Sequence, residues 1–236
     1  EVQVDQAWRA NEKSERYYEM TYAGATSFLR RKYSRELKDI DVAVSGVPFD
    51  CAVTNRPGCR LGPRAIRSAS VELASLNSYP FGFDPFKFIN VVDYGDCYLN
   101  THDPSSIELS IYNHAKTIIK SGTKMLTLGG DHFISLPLLR AHANTYGPVS
   151  LLQFDSHCDT WEPQGPIDHG TMYLTAVNEG LINIDTSIYN AVGVEYNVTF
   201  FNRYDYNEYK SRETERSYGG NLEYGFKLTN QLSGKL

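Results

Sequence analysis

Three segments carry the residue types that bind divalent metals: Gly129-Gly130-Asp131-His132, Phe154-Asp155-Ser156-His157-Cys158-Asp159 and Asp168-His169-Gly170-Thr171-Met172. Their imidazoles and carboxylates fall at the ends of what read as neighbouring β-strands. Nitrogen and carboxylate oxygen together suit ions of hard to borderline character. Asp155, His157 and Asp159 stand at i, i+2 and i+4, and in an extended chain alternate residues share a face. The spacing predicts that the three converge, with His132 reaching the same point from the end of the preceding strand. One ion would take His132, Asp155 and Asp159, and a second would take His157 and share Asp155. A carboxylate shared by two ions holds them close, and a hydroxide between them is a strong nucleophile at neutral pH. Burying three titratable side chains without an ion or partner is costly, so the triplet carries the expectation. His132 taken alone reads as readily as a packing residue beside a glycine turn, and Asp131 as a turn or cap. Asp168 reads as a turn residue. His169, ahead of Gly170, reads equally as a surface residue or as a mobile acid/base facing a substrate.

The elements that would position these groups alternate between strand and helix. Val42–Val47 is a continuous apolar run stopped by Pro48, as expected of a parallel strand covered on both faces. A Gly/Pro/Asn-rich loop then leads through Gly62-Pro63-Arg64 into a helix over Ala65–Ser70, with proline near its first turn. Further strands are expected at 88–93, at Met125–Leu128 and at Val149–Phe154. Helices are expected at Ser105–Lys120, where Ile107, Ile111, Ala115 and Ile118 form one stripe, at Pro137–Tyr146 and at Thr171–Glu179. This alternation describes an α/β layered domain with a parallel sheet. Ligands of open α/β sheets lie outside the carboxyl ends of the strands, where the candidate residues fall.

Residues 1–27 lack a clear period and read as an N-terminal arm. After about residue 185 the chain changes character: Val192, Val194, Tyr196, Val198 and Phe200 alternate with polar residues, and 202–217 is charged and tyrosine-rich. Antiparallel hairpins are the expectation for this strand-rich tail, with a solvated extension as the alternative.

A net charge of −5 over 236 residues argues against nucleic acid or an anionic membrane as the main partner and is compatible with a small cationic substrate. Cys51, Cys59, Cys97 and Cys158 have no framework or zinc-finger spacing and read as free thiols in a reducing compartment. No apolar run reaches the ~18 residues of a membrane helix, and the opening residues do not read as a signal peptide. A cytoplasmic protein is expected, or a mitochondrial one if a transit segment has been removed.

The motifs resemble those of the ureohydrolase family, the arginase and agmatinase group, and most closely the bacterial-type agmatinases. The resemblance is carried by Gly46-Val47-Pro48-Phe49-Asp50, Gly62-Pro63-Arg64-Ala65-Ile66-Arg67, Val91-Val92-Asp93-Tyr94-Gly95-Asp96 and the three metal-type segments. Asp168-His169-Gly170-Thr171-Met172 followed by Glu179-Gly180-Leu181-Ile182 is especially similar. It implies a three-layer α/β/α parallel-sheet fold of arginase type, with its N-terminal part over residues 28–187 and an atypical tail over 188–236. It also implies two Mn2+ ions per subunit, with His132, Asp155 and Asp159 on one and Asp155 and His157 on the other, and His169 moving protons beside the substrate. The implied reaction is hydrolysis of agmatine to putrescine and urea, a step of polyamine biosynthesis, in a homotrimer or hexamer. The alternatives are another guanidino substrate, guanidinobutyrate or guanidine, and a non-catalytic relative. The family's further Asp-x-Asp strand and its guanidinium-gripping Glu have no counterpart after Ser187, and Gln153 stands where histidine is usual. With its second ion short of ligands, a chain of this sequence is expected to release little urea.

Overall fold

Without polar alternation, Val42–Val47 has no face to give to water, and it forms the central strand β1 of a parallel sheet. The computed structural model describes residues 4–5, 7–8, 19–75, 77 and 82–188, with only the backbone of 189–191, 226–229 and 232–234. Strand β2 (Val91–Asp96) lies on one side of β1 and β3 (Lys124–Gly129) on the other, all parallel. Between them run helices α1 (Gly62–Ser70) and α2 (Ile107–Lys120). The predicted α2 stripe meets the sheet as expected: Ile118 packs with Ala43 and Val92, and Ile107 and Ile111 with Val47. On the opposite face Val44, Val91 and Leu128 are covered by Phe28 and Phe86, and α1 packs against β1, β3 and the 28–30 turn. Helix α3 (Ser135–Tyr146) joins α2 through Ala141 against Ala115 and Ile119. Helix α4 (Met172–Asn178) joins α3 through Met172, Tyr173 and Ala176 against Leu136.

Two strand expectations shift. The strand predicted at 88–93 begins three residues later, because Phe88 and Ile89 are exposed and belong to the turn after Pro85–Lys87. The strand predicted at Val149–Phe154 is β4 (Leu152–Asp155), which pairs in parallel with β5 (Ile188–Ala191), not with β3. The two strands that deliver the candidate ligands are therefore not hydrogen-bonded neighbours. Residues 1–205 and 206–236 cluster as separate units. In the second, β6 (Phe226–Thr229) and β7 (Leu232–Gly234) pair antiparallel. The alternation read at 192–200 lies outside the described residues.

Asp93 and Asp96, at the carboxyl end of β2, are consumed by structure. Arg67 of α1 donates from Nε and Nη2 to Asp93 (2.7 and 2.9 Å) and from Nη1 to Asp96 (2.6 Å). Asp93, fully buried, also accepts the backbone N–H groups of Phe28 and Gly95.

On the α2 side, His114 sits with Nε2 2.5 Å from Ser45 Oγ and its ring edge-on to Tyr94. Burial, reinforced by Arg35 and only partly opposed by Asp96, pushes this imidazole down to about 4. Because the folded value lies below the ordinary 6.5, the fold prefers neutral His114. Its contribution to stability is complete above that ordinary value and drains away as pH falls towards 4. Thermal unfolding between pH 7 and 5 should show wild-type protein losing midpoint faster than His114→Gln, which has no proton to gain. Parallel slopes would exclude His114 as the cause.

Candidate metal centre

The turn after β3 brings the first ligand into place. Gly130 has φ +50°, and a Cβ there would lie 2.3 Å from the Val47 carbonyl oxygen and 2.9 Å from that of Phe49, so only glycine lets the chain pass so close to β1. Asp131 then closes a 3-10 turn over His132–Ile134 by accepting the Phe133 N–H (2.8 Å), and its other oxygen accepts the Ala52 N–H (2.8 Å). Burial pushes the Asp131 carboxyl up, against these two N–H groups and the nearby His169, which lower it. Asp131 is thus the cap that the sequence allowed, and it holds the 51–58 loop against the His132 turn.

On the second segment the expected extended run stops at Asp155. Its Oδ1 accepts the His157 N–H at 3.0 Å, folding the chain into a turn, and Asp159 adopts a left-handed backbone with φ +50°. The short polar side chain of Asp tolerates that conformation. Asp155, His157 and Asp159 therefore do not share one face of an extended strand, contrary to what their spacing led us to expect. Asp155 and Asp159 converge through the turn, while the His157 side chain is 60% exposed, with Nδ1 3.8 Å from Asp155 Oδ1. Gln153, buried in β4, donates to the His157 carbonyl at 3.1 Å and so braces the same turn.

His132, Asp155 and Asp159 each offer a ligand atom, all within 4.8 Å of one another. His132 Nδ1 lies 2.8 Å from Asp159 Oδ2 and 3.5 Å from Asp155 Oδ2. Asp159 Oδ2 is nevertheless buried and accepts no hydrogen bond. A buried carboxylate oxygen left without a donor is costly, and a cation between the three groups would satisfy it. Burial pulls His132 down, but Asp159, Asp155 and Asp131 together outweigh it and leave the imidazole raised. One nitrogen and two carboxylates match the donor set of borderline divalent ions, so the residues present fit such an ion.

The cluster floors a cleft of about 420 Å³ lined also by Thr54, His157, Cys158, Trp161, His169 and Gly170. His169 therefore stands on the wall of the cleft that holds the three-ligand cluster. Asp168 accepts the Gly170 N–H at 2.8 Å, the turn role read from sequence, and so fixes the backbone on both sides of His169. Trp161 N–H donates to the Gly170 carbonyl at 3.0 Å, and a Cβ on Gly170 would sit 3.2 Å from the indole. All four cysteines are free, and Cys158 faces the cleft.

One residue at the site escaped the sequence reading. The Tyr173 hydroxyl lies 3.2 Å from His132 Nε2, and burial pushes it up to about 12. The contact joins residues 41 positions apart, and no local pattern signals it.

Residues 40–214 match the arginase family. An agmatinase from Chromobacterium violaceum is 58% identical over 173 residues, which are 72% of this chain and 54% of that protein. The crystal structure of a hypothetical agmatinase from Burkholderia thailandensis aligns with TM-score 0.75 and 51% identity, covering 84% of this chain and 62% of the other. Formiminoglutamase from Trypanosoma cruzi, in a structure with Mn2+2, aligns with TM-score 0.58 and 25% identity over 66% of this chain and 54% of that one. The chain thus spans roughly half to two thirds of the length of these relatives.

Proposed function

Given that this chain belongs to the arginase family, we propose that it takes part in hydrolysing agmatine to putrescine and urea. The observation that carries the reading is the His132–Asp155–Asp159 cluster on the floor of the cleft that His169 lines. The ions held there would be manganese, with His132, Asp155 and Asp159 around one, and Asp155 and His157 turned towards a second. When bound, such ions lower the pKa of water and polarise the substrate.

The chain's own residues supply the rest. The planar guanidinium of the substrate is a cation, which suits a chain of net charge −5. The same Asp155, shared between the two positions, would orient the attacking water on the guanidinium carbon. The departing amine needs a proton, and His169, held between Asp168 and Gly170, can deliver it from the wall of the cleft. Trp161 and Thr54 line the same cleft. No helix among the described residues is long and apolar enough to cross a membrane, and we place the protein in the cytoplasm. The agmatinases of Chromobacterium violaceum and Serratia proteamaculans, both bacterial, are among its relatives and agree with that placement. Assembly as a homotrimer or hexamer belongs to the same proposal.

Urea release tests the reading. Manganese-loaded protein is expected to release urea from agmatine, slowly because among the described residues only His157 and Asp155 serve the second position, and in preference to 4-guanidinobutyrate, which replaces agmatine's ammonium by a carboxylate in a chain of net charge −5. Urea from guanidinobutyrate in preference to agmatine would overturn the substrate. Tight manganese binding with neither substrate consumed would favour a non-catalytic role.

A further inference from the structure

We propose that Trp161 reads the far end of the substrate: its indole takes the terminal ammonium of an aminoalkyl guanidine in a cation–π contact. The inference rests on the hydrolase reading above and deepens it by naming the group that recognises the substrate's second charge.

Trp161 lines the cleft that the His132–Asp155–Asp159 cluster floors, and it is 72% exposed. Its place is nonetheless fixed at two points. The Trp161 N–H donates to the Gly170 carbonyl at 3.0 Å, and the six-membered ring of the indole lies where a Cβ on Gly170 would come within 3.2 Å of it. Gly170 is buried, so a side chain there would crowd the indole. The turn that Asp168 closes onto Gly170 also carries His169, so one piece of backbone sets both the indole and the proton donor.

The chemistry of the walls then decides which tail fits. With its guanidinium at the cluster, a short linear substrate has its far end between the same walls. The two carboxylates of the cleft, Asp155 and Asp159, belong to the cluster, and no other described residue that lines it is acidic. The Thr54 hydroxyl donates as readily as it accepts, and the imidazoles of His157 and His169 carry no negative charge, so none of the three favours a positive tail. An indole does: tryptophan is the best aromatic partner for a cation, and the attraction grows as the cation loses water. To a carboxylate the same ring presents a negative face. Trp161 thus separates an amine end from an acid end without a charge of its own.

Calorimetric titration of manganese-loaded protein with agmatine and with n-pentylguanidine, which carries a methyl group in place of the ammonium, tests the assignment. Trp161→Leu keeps an apolar wall and removes the ring. It should weaken agmatine binding about 2- to 30-fold relative to pentylguanidine. Trp161→Phe, which keeps a weaker ring, should fall between wild type and Trp161→Leu, and serves if the leucine variant fails to fold. Equal change for the two ligands, no change for either, or wild type binding pentylguanidine but not agmatine would overturn the proposal. If wild type releases urea from agmatine while the ratio stays fixed, the role of Trp161 falls and the hydrolase reading stands. If wild type binds neither guanidine, the hydrolase reading fails and takes the proposal with it.

Discussion

Asp159→Asn is expected to weaken manganese binding by more than about 100-fold, because loss of a mere second-shell partner already costs about 10- to 100-fold. Asparagine is the informative replacement. It keeps the shape and, like Asp, tolerates the left-handed backbone found at this position. It removes the charge, and with it the close contact that raises His132, while Oδ2 takes no backbone hydrogen bond that the fold would lose. The melting temperature of ion-free protein should therefore hold steady, while the rise in melting temperature that manganese gives wild type disappears. Calorimetric titration alongside thermal unfolding checks both halves. A variant that binds manganese normally would remove Asp159 from the ligand set. One that unfolds without ions would show the carboxylate to be structural.

The second large effect lies away from the cleft. Asp93→Ala should destabilise the fold by about 3–5 kcal/mol, the usual result of stranding a buried charge. The charge left behind is Arg67, whose side chain is 6% exposed, and whose remaining partner Asp96 is 39% exposed. The N–H groups of Phe28 and Gly95 lose an acceptor in the same step. The double variant Asp93→Leu with Arg67→Met should recover part of the loss, since apolar replacement of a buried pair is often close to neutral. It should not recover all of it, because the two N–H groups stay unpaired. Urea denaturation with an unchanged slope would measure the difference. Equal stability of wild type and Asp93→Ala would show that the network contributes nothing.

Much of the architecture was legible because it is written in short-range pattern. β1 is a run without polar alternation, α1 announces itself through Gly62-Pro63, and α2 through an isoleucine stripe that meets the sheet where the period places it. Hydrophobicity misled where apolar residues face solvent: Phe88 and Ile89 lengthened β2 on paper. The ligand motif was legible in composition and less so in geometry. Asp155, His157 and Asp159 share a face only if the chain stays extended, and it does not, since the Asp155 carboxylate captures the His157 N–H and bends it. His132 and Asp155 still meet, 3.5 Å apart, although β3 and β4 are not paired. That meeting depends on Gly130, Asp131 and the packing of α3 and α4, all of them tertiary. Tyr173 shows the same limit more sharply: its place at the site comes from the distance of its hydroxyl to a ring on another element.

Anomalous diffraction from crystals grown with manganese would decide whether His132, Asp155 and Asp159 hold an ion. A strong peak is expected, bonded at once to His132 Nδ1, Asp155 and Asp159, with His132 Nε2 still beside the Tyr173 hydroxyl. A map with no ion there, or with His132 turned out of the cleft and the ion held elsewhere, would contradict it.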